Sequence, residues 1–169
     1  TGHKMGFRAV VITVSDRGAR GEREDSSGPK IAGMLDAAGI EVIRRQIIPD
    51  EKAVICRALL ECSDHERPDL ILTTGGTGVS PRDVTPDATR EVIEREIPGM
   101  AEEMRRRSAA VTPHAMISRA LAGIRGSTLI INLPGSPKGA KENLAAVLPA
   151  LQHAIEKIKG DDRDCAVSS

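Results

Sequence analysis

Short apolar runs, rich in β-branched residues, alternate along the chain with stretches of helical periodicity. The runs are Ala9–Val14 (AVVITV), Glu41–Ile47 (EVIRRQI), Leu70–Thr73 (LILT) and Thr128–Asn132 (TLIIN). The first, third and fourth are continuous, as expected of strands buried on both faces of a parallel sheet. The second is less pure and belongs nearer an edge. Between them, Ile31, Met34, Leu35 and Ala38 follow helical spacing until Gly39 stops it. Val54, Ile55, Ala58, Leu59 and Cys62 repeat that spacing. A third helix is predicted to open at Thr85-Pro86, with Thr85 as its cap, and to run through Ala88, Val92, Ile93 and Ile97 to Pro98-Gly99. The last helix carries Leu144, Val147, Leu148, Leu151, Ala154, Ile155 and Ile158, with Pro149 expected to kink or split it.

Strands alternating with helices predict right-handed βαβ units. The fold class is therefore α/β, a three-layer α/β/α arrangement with a mainly parallel sheet. Residues 100–127 read less clearly: Met100–Arg107 as a short basic helix, Ser108–Ser127 as loop and half-helix. No repeat or linker interrupts the pattern. Residues 5–160 are expected to form one domain, with 161–169 a polar tail expected to fray and residues 1–4 set aside.

Composition narrows the function. Phe7 is the only aromatic residue, so the core must be aliphatic and the stacking platforms of single-strand nucleic-acid binders are missing. Lys+Arg and Asp+Glu both number 24, so no net positive field exists to hold nucleic acid or an anionic membrane. A small phosphorylated ligand, held by a local cluster of donors, remains compatible. No apolar run approaches the ~18 residues of a membrane span, and the chain is expected to be cytoplasmic. Cys56, Cys62 and Cys165 form no C-x-x-C pair and read as small apolar residues rather than a zinc site or disulfide framework. His3, His65, His114 and His153 show no ligand spacing.

Ligands of open α/β sheets bind beyond the carboxyl ends of the strands. Here those ends are followed by Ser15-Asp16-Arg17-Gly18, by Pro49-Asp50-Glu51, by Thr74-Gly75-Gly76-Thr77-Gly78 with Asp83 further on, and by Leu133-Pro134-Gly135-Ser136. Small, hydroxyl and carboxylate side chains gather at all of them. Thr74–Gly78 exposes backbone N–H groups to which a phosphate can come close. It matches neither the dinucleotide fingerprint nor a Walker A loop, and by itself it is equally compatible with a tight turn. Asp50 and Asp83 are expected to leave two neighbouring strands and face one crevice, where paired carboxylates can hold Mg²⁺ against phosphates. Ser26, Ser27 and Gly28 precede a helix expected to begin at Pro29, a place for an anion or simply for a capping serine. Lys138 and Arg82 could neutralise phosphate or lie solvated. Asp87 reads as a helix-dipole residue.

The stretches TVSDRGARGEREDSSG (Thr13–Gly28), PDE (Pro49–Glu51), TTGGTGVSPRDVTPDAT (Thr73–Thr89), AMISRALAGIRGSTLI (Ala115–Ile130) and INLPGSPKG (Ile131–Gly139) resemble the Mog/MoaB family of molybdenum-cofactor biosynthesis, which includes gephyrin-type G domains. The resemblance implies a molybdopterin adenylyltransferase, which uses Mg²⁺ and transfers AMP from ATP to molybdopterin with release of pyrophosphate. It further implies Asp50 and Asp83 as metal-dependent catalytic carboxylates. Gly75, Gly76, Thr77, Gly78, Ser15 and Asp16 would line the nucleotide site. Ser26, Ser27, Gly28, Thr85, Ser118, Pro134, Gly135 and Ser136 would contact pterin or phosphate. Members are usually trimers, MoaB-type members can be hexamers, and some MoaB-like members bind pterin without transfer. The product would pass to a molybdate-insertion enzyme.

Overall fold

The computed structural model describes residues 6–160. The expected tail 161–169, His3 and Cys165 lie outside the described residues. The strands are β1 (Arg8–Val14), β2 (Glu41–Ile48), β3 (Leu70–Thr74), β4 (Arg95–Glu96), β5 (Ala122–Arg125) and β6 (Thr128–Leu133). They form one six-stranded sheet in the order β2-β1-β3-β6-β5-β4. The β2, β1, β3 and β6 pairings are parallel; β5 and β4 add an antiparallel edge.

The helices are α1 (Asp16–Ala19), α2 (Ser27–Ala37), α3 (Lys52–Glu61), α4 (Thr85–Val92), α5 (Pro98–Ala109) and α6 (Pro137–Ile158). Alternating strand residues serve opposite cores, as the two-residue period of a strand requires. Ala9, Val11, Leu70, Leu72, Leu129 and Ile131 pack with Ile31 and Leu35 of α2, Met104 of α5, and Leu144, Leu151 and Ile155 of α6. Val10, Ile12, Ile71 and Ile130 pack with Ile55 and Leu59 of α3 and Ala88 and Val92 of α4. This is the expected three-layer α/β/α arrangement, and β2 is its half-exposed edge strand.

Several elements differ from expectation. The third helix ends at Val92 rather than near Ile97. Ile93 turns extended, and Arg95 and Glu96 pair with Ile124 and Gly123 of β5. Ile93 packs in one core and Ile97 in the other, so the chain crosses the sheet between them. A single helical stripe cannot do that; the spacing is fortuitous. The segment read as loop and half-helix contains β5 and a 3₁₀ turn at Pro113–Ile117. The helix α6 runs unbroken through Pro149. Pro149 and Ala145, whose carbonyl loses its donor, are both exposed, so water can satisfy that carbonyl while Leu144, Val147 and Leu151 anchor the buried stripe.

Cys62 is fully buried, its thiol pushed up to about 11 by burial, as suits a small apolar core residue. Among the described residues no helix is long and apolar enough to cross a membrane.

Candidate functional site

The sheet order reverses at β1. The chain leaves β1 for β2 on one side and returns to β3 on the other, so the loops beyond β1 and β3 splay apart and leave a crevice. A cavity of about 610 Å³ occupies that place.

Gly75 and Gly76 shape its floor. Gly75 has φ +107°, and its N–H donates to Leu133 O at 3.0 Å; a Cβ there would stand 2.3 Å from the Val14 carbonyl. Only glycine lets the end of β3 lie this close to β1 in that conformation. Gly76, at φ +68°, lies over Thr85 and Asp50: a Cβ there would come within 2.4 Å of Thr85 Oγ1 and 3.1 Å of Asp50 Oδ1. A Cβ on Gly78 would stand 2.8 Å from Asp83 Oδ2. The two aspartates therefore flank one short glycine turn, and both line the cavity.

They do not leave neighbouring strands. β1 lies between β2 and β3, so the expected adjacency is wrong. The loops beyond the strands bridge the gap. Asp16, at the end of β1, exchanges backbone-to-carboxylate hydrogen bonds with Asp50 at 2.8 and 2.9 Å. Asp83 accepts the Ser80 N–H at 3.0 Å within its own turn. Burial pushes the Asp50 carboxyl up from its ordinary value, and the carboxylates of Asp16 and Asp83 push the same way against the Asp16 N–H bond. Asp16 is held below its ordinary value by the Arg82 guanidinium, which grips it with two bonds at 2.9 and 3.0 Å.

The remaining expected residues divide between two cavities. Ser15, Gly75, Gly76, Ser26, Ser27, Gly135 and Ser136 line the larger with the two aspartates. Thr77, Gly78, Ser118, Pro134 and again Ser136 line an adjoining cavity of about 300 Å³. Asp16, Gly28 and Thr85 line neither. Thr85 was expected to cap α4 and to touch ligand. It is fully buried, and the cap position is Val84.

The serine turn also differs in detail. The helix α2 begins at Ser27, not Pro29, and Ser26 makes no side-chain capping bond. The capping acceptor is Asp25, which receives the Gly28 N–H at 2.9 Å and the Thr13 hydroxyl at 2.8 Å. Ser27 donates instead to Gly135 O at 2.7 Å, tying the α2 start to the loop beyond β6. The first turns of α2 and α6 thus border the larger cavity through Ser27, Ser136 and Pro137, and helix N-termini favour negative charge.

Sequence reasoning does not single out Arg119 or Asn132. The Arg119 side chain donates to Gly78 O (2.9 Å) and to Asp83 O, and pairs with Asp87 at 2.9 Å; its N–H reaches Thr77 O at 2.8 Å. One residue thereby closes the loop that carries Asp83. Asp87 finds its partner in Arg119, which holds it below its ordinary value, beyond any helix-dipole role. Asn132 is buried, donates to Thr73 and Thr89 hydroxyls at 2.9 and 3.0 Å, and accepts from Leu121 N–H at 3.3 Å. A lone amide ending an apolar strand run is its signal in the sequence. Arg119 has none beyond lying beside Ser118.

The sequence profile described as a probable molybdopterin binding domain matches residues 10–153. The chain belongs to this molybdopterin-binding family. It is 41% identical over 153 residues to molybdopterin adenylyltransferase of Helicobacter pylori (strain J99), covering 89% of this chain and 87% of that protein. It is 44% identical over 155 residues to gephyrin of Dictyostelium discoideum, covering 86% of this chain but only 21% of gephyrin. Among solved structures, the molybdopterin biosynthesis enzyme MoaB of Thermus thermophilus superposes with a TM-score of 0.87 at 52% identity, covering 91% of this chain and 97% of that one. The glycine turn, both aspartates and both cavities lie within the span matched by the family profile.

Proposed function

We propose that this protein is a molybdopterin adenylyltransferase that uses Mg²⁺-ATP. The observation that carries the reading is the charge of the larger cavity. Its lining includes the carboxylates of Glu24, Asp25, Asp50 and Asp83 but a single cationic side chain, Arg23. A bare triphosphate would be repelled there; one accompanied by a divalent cation would not. Asp50, half-buried and pushed up by burial and by its acidic neighbours, is a group whose ionised form such a cation would stabilise. No cluster of three or more His, Cys, Asp or Glu suited to a metal exists among the described residues. Mg²⁺ needs none: it uses one or two carboxylates and takes its other ligands from water and phosphate.

In this reading Asp50 and Asp83 would hold the ion, whose charge would offset that developing on the phosphates. The Gly75–Gly76 turn lets the phosphates approach the backbone, and the first turns of α2 and α6 favour their negative charge. A terminal phosphate oxygen of molybdopterin forms a bond to the α-phosphorus of ATP. The bond from that phosphorus to the α,β-bridging oxygen breaks, and pyrophosphate leaves with the electron pair. Such transfer asks the protein for positioning and electrostatics rather than covalent chemistry. The smaller cavity, where Ser118 and Thr77 meet the neighbourhood of Arg105 and Asn143, is the proposed pterin side. Ser136 stands where the two cavities meet.

The test is pyrophosphate release from ATP in the presence of molybdopterin. The rate should require Mg²⁺ and fall by at least about 100-fold in Asp83→Ala, while pterin binding survives. Undiminished turnover in that variant sinks the assignment. Calorimetry that detects pterin but no Mg²⁺-ATP would select the alternative, pterin binding without transfer. A homotrimer, or a hexamer, a cytoplasmic location and delivery of the product to a molybdate-insertion enzyme belong to the same proposal. Light scattering of the purified chain tests the oligomer.

A further inference from the structure

Thr85 is fully buried at the start of α4, and among the described residues its hydroxyl is one of two buried side-chain oxygens without a hydrogen-bond partner. The other, Ser63 Oγ, belongs to the segment Cys62–Glu66 that leads into the amino end of β3, away from the cavity. A buried hydroxyl left unpaired costs free energy, so its retention calls for a cause.

The surroundings supply one. Both backbone groups of Thr85 are occupied: its N–H donates to Gly76 O at 3.1 Å, and its carbonyl accepts the Thr89 hydroxyl at 2.8 Å. Thr89 is in turn bonded by Asn132. The residue is therefore held firmly, with its Oγ1 directly beneath Gly76. Asp50 Oδ1 borders the same spot, since a single Cβ on Gly76 would crowd both oxygens. The other carboxylate oxygen, Oδ2, takes the Asp16 N–H. Rotation about the final side-chain bond of an aspartate is soft, so a turn of the Asp50 carboxylate asks for no backbone movement.

We propose that Thr85 is a positioning residue: once nucleotide fills the cavity, its hydroxyl donates to Asp50 Oδ1 and fixes the carboxylate. Filling the cavity expels water from Asp50, and a carboxylate losing hydration requires another donor. Thr85 is the unpaired donor at hand. The inference rests on the adenylyltransferase reading, and its test separates the two.

The test compares Thr85→Val, which keeps the shape and removes the hydroxyl, with Thr85→Ser, which keeps the hydroxyl. Melting temperatures are measured without ligand and with saturating Mg²⁺ plus α,β-methylene-ATP, alongside kcat and KM for ATP. Thr85→Val should melt at or above the parent without ligand, yet gain less from the nucleotide, because ligand binding stabilises in proportion to affinity for the folded form. Its kcat/KM for ATP should fall on the order of 10- to 100-fold, the range for a hydrogen bond to a charged group, with part of the loss in KM because the bond forms when nucleotide binds. Thr85→Ser should recover most of both losses. A Thr85→Val protein with the parent's nucleotide response and kcat/KM overturns the proposal. So does a parallel loss of ligand-free stability and rate in both variants, which marks a packing role. A parent that does not respond to the Mg²⁺-nucleotide defeats the adenylyltransferase reading itself, and this inference with it.

Discussion

Asp16 and Asp50 each hold the other's backbone: the Asp16 amide donates to Asp50 Oδ2 at 2.8 Å, and the Asp50 amide donates to Asp16 Oδ1 at 2.9 Å. This reciprocal pair joins the loops beyond β1 and β2, 34 residues apart in sequence, and sets where the Asp50 carboxylate stands. Two carboxylates side by side would repel. Arg82, bidentate to Asp16, is what lets them remain so.

Asp16 therefore acts through its oxygen acceptor more than its charge. Asp16→Asn keeps an acceptor for the Asp50 amide and should stay within about 0.5 kcal/mol of the parent, since exposed ion pairs contribute little. Asp16→Ala should lose about 1 kcal/mol for the missing hydrogen bond and a larger share of activity. Urea denaturation of both variants decides; equal losses would assign the role to charge.

Asp50 should show the opposite of the usual carboxylate linkage. Its folded carboxyl is pushed above the ordinary value, so the folded state binds this proton more tightly than the unfolded chain. The resulting stability is fully present below the ordinary carboxylate value, near pH 4, and is lost as pH rises through the raised one. Asp50→Asn should then melt higher than the parent at pH 7.5 without Mg²⁺, with the difference shrinking towards pH 4, while adenylyl transfer is lost. A lower melting temperature at pH 7.5 would contradict this account of the site.

Gly75→Ala would place a methyl 2.3 Å from the Val14 carbonyl at φ +107°. Backbone strain alone is worth roughly 1–3 kcal/mol, and the clash adds to it. Gly33→Ala is the control of opposite sign: nothing lies within 4 Å of that position in the interior of α2, and a gain of about 0.5–1 kcal/mol is expected. Chemical denaturation of the two proteins side by side checks both signs at once.

Arg119→Lys should be nearly as harmful to turnover as Arg119→Ala. A lysine keeps the charge but cannot reach Gly78 O, Asp83 O and Asp87 together, as the guanidinium does. A loss of about 10-fold or more in kcat is expected for both, with melting temperatures close to the parent. Full activity in the lysine variant would show that charge alone suffices.

The strand runs, the glycine turn and the carboxylates are legible in the sequence because each answers a local demand. A strand buried on both faces reads as a continuous apolar run, and a positive φ reads as glycine. Asp50 stands out as a carboxylate just beyond a strand end, and Asp83 as one in the polar loop that follows the glycine turn. The end of the third helix is not legible. Val92, Ile93 and Ile97 have helical spacing, yet they divide between opposite sides of the sheet. Nor is the role of Arg119, whose four partners lie 32 to 42 positions away in the chain.

What the sequence by itself determined, then, is the set of elements and the chemistry placed at their ends, since periodicity and turn residues are properties of neighbouring positions. Only the tertiary structure decided that β1 inserts between β2 and β3, that Asp25 rather than a serine caps α2, and that the Thr85 hydroxyl is sealed beneath Gly76. Strand order and burial follow from which distant surfaces pack together, and Asp25 takes the Thr13 hydroxyl because α2 packs against β1. Contact energies between those surfaces leave no period in the chain.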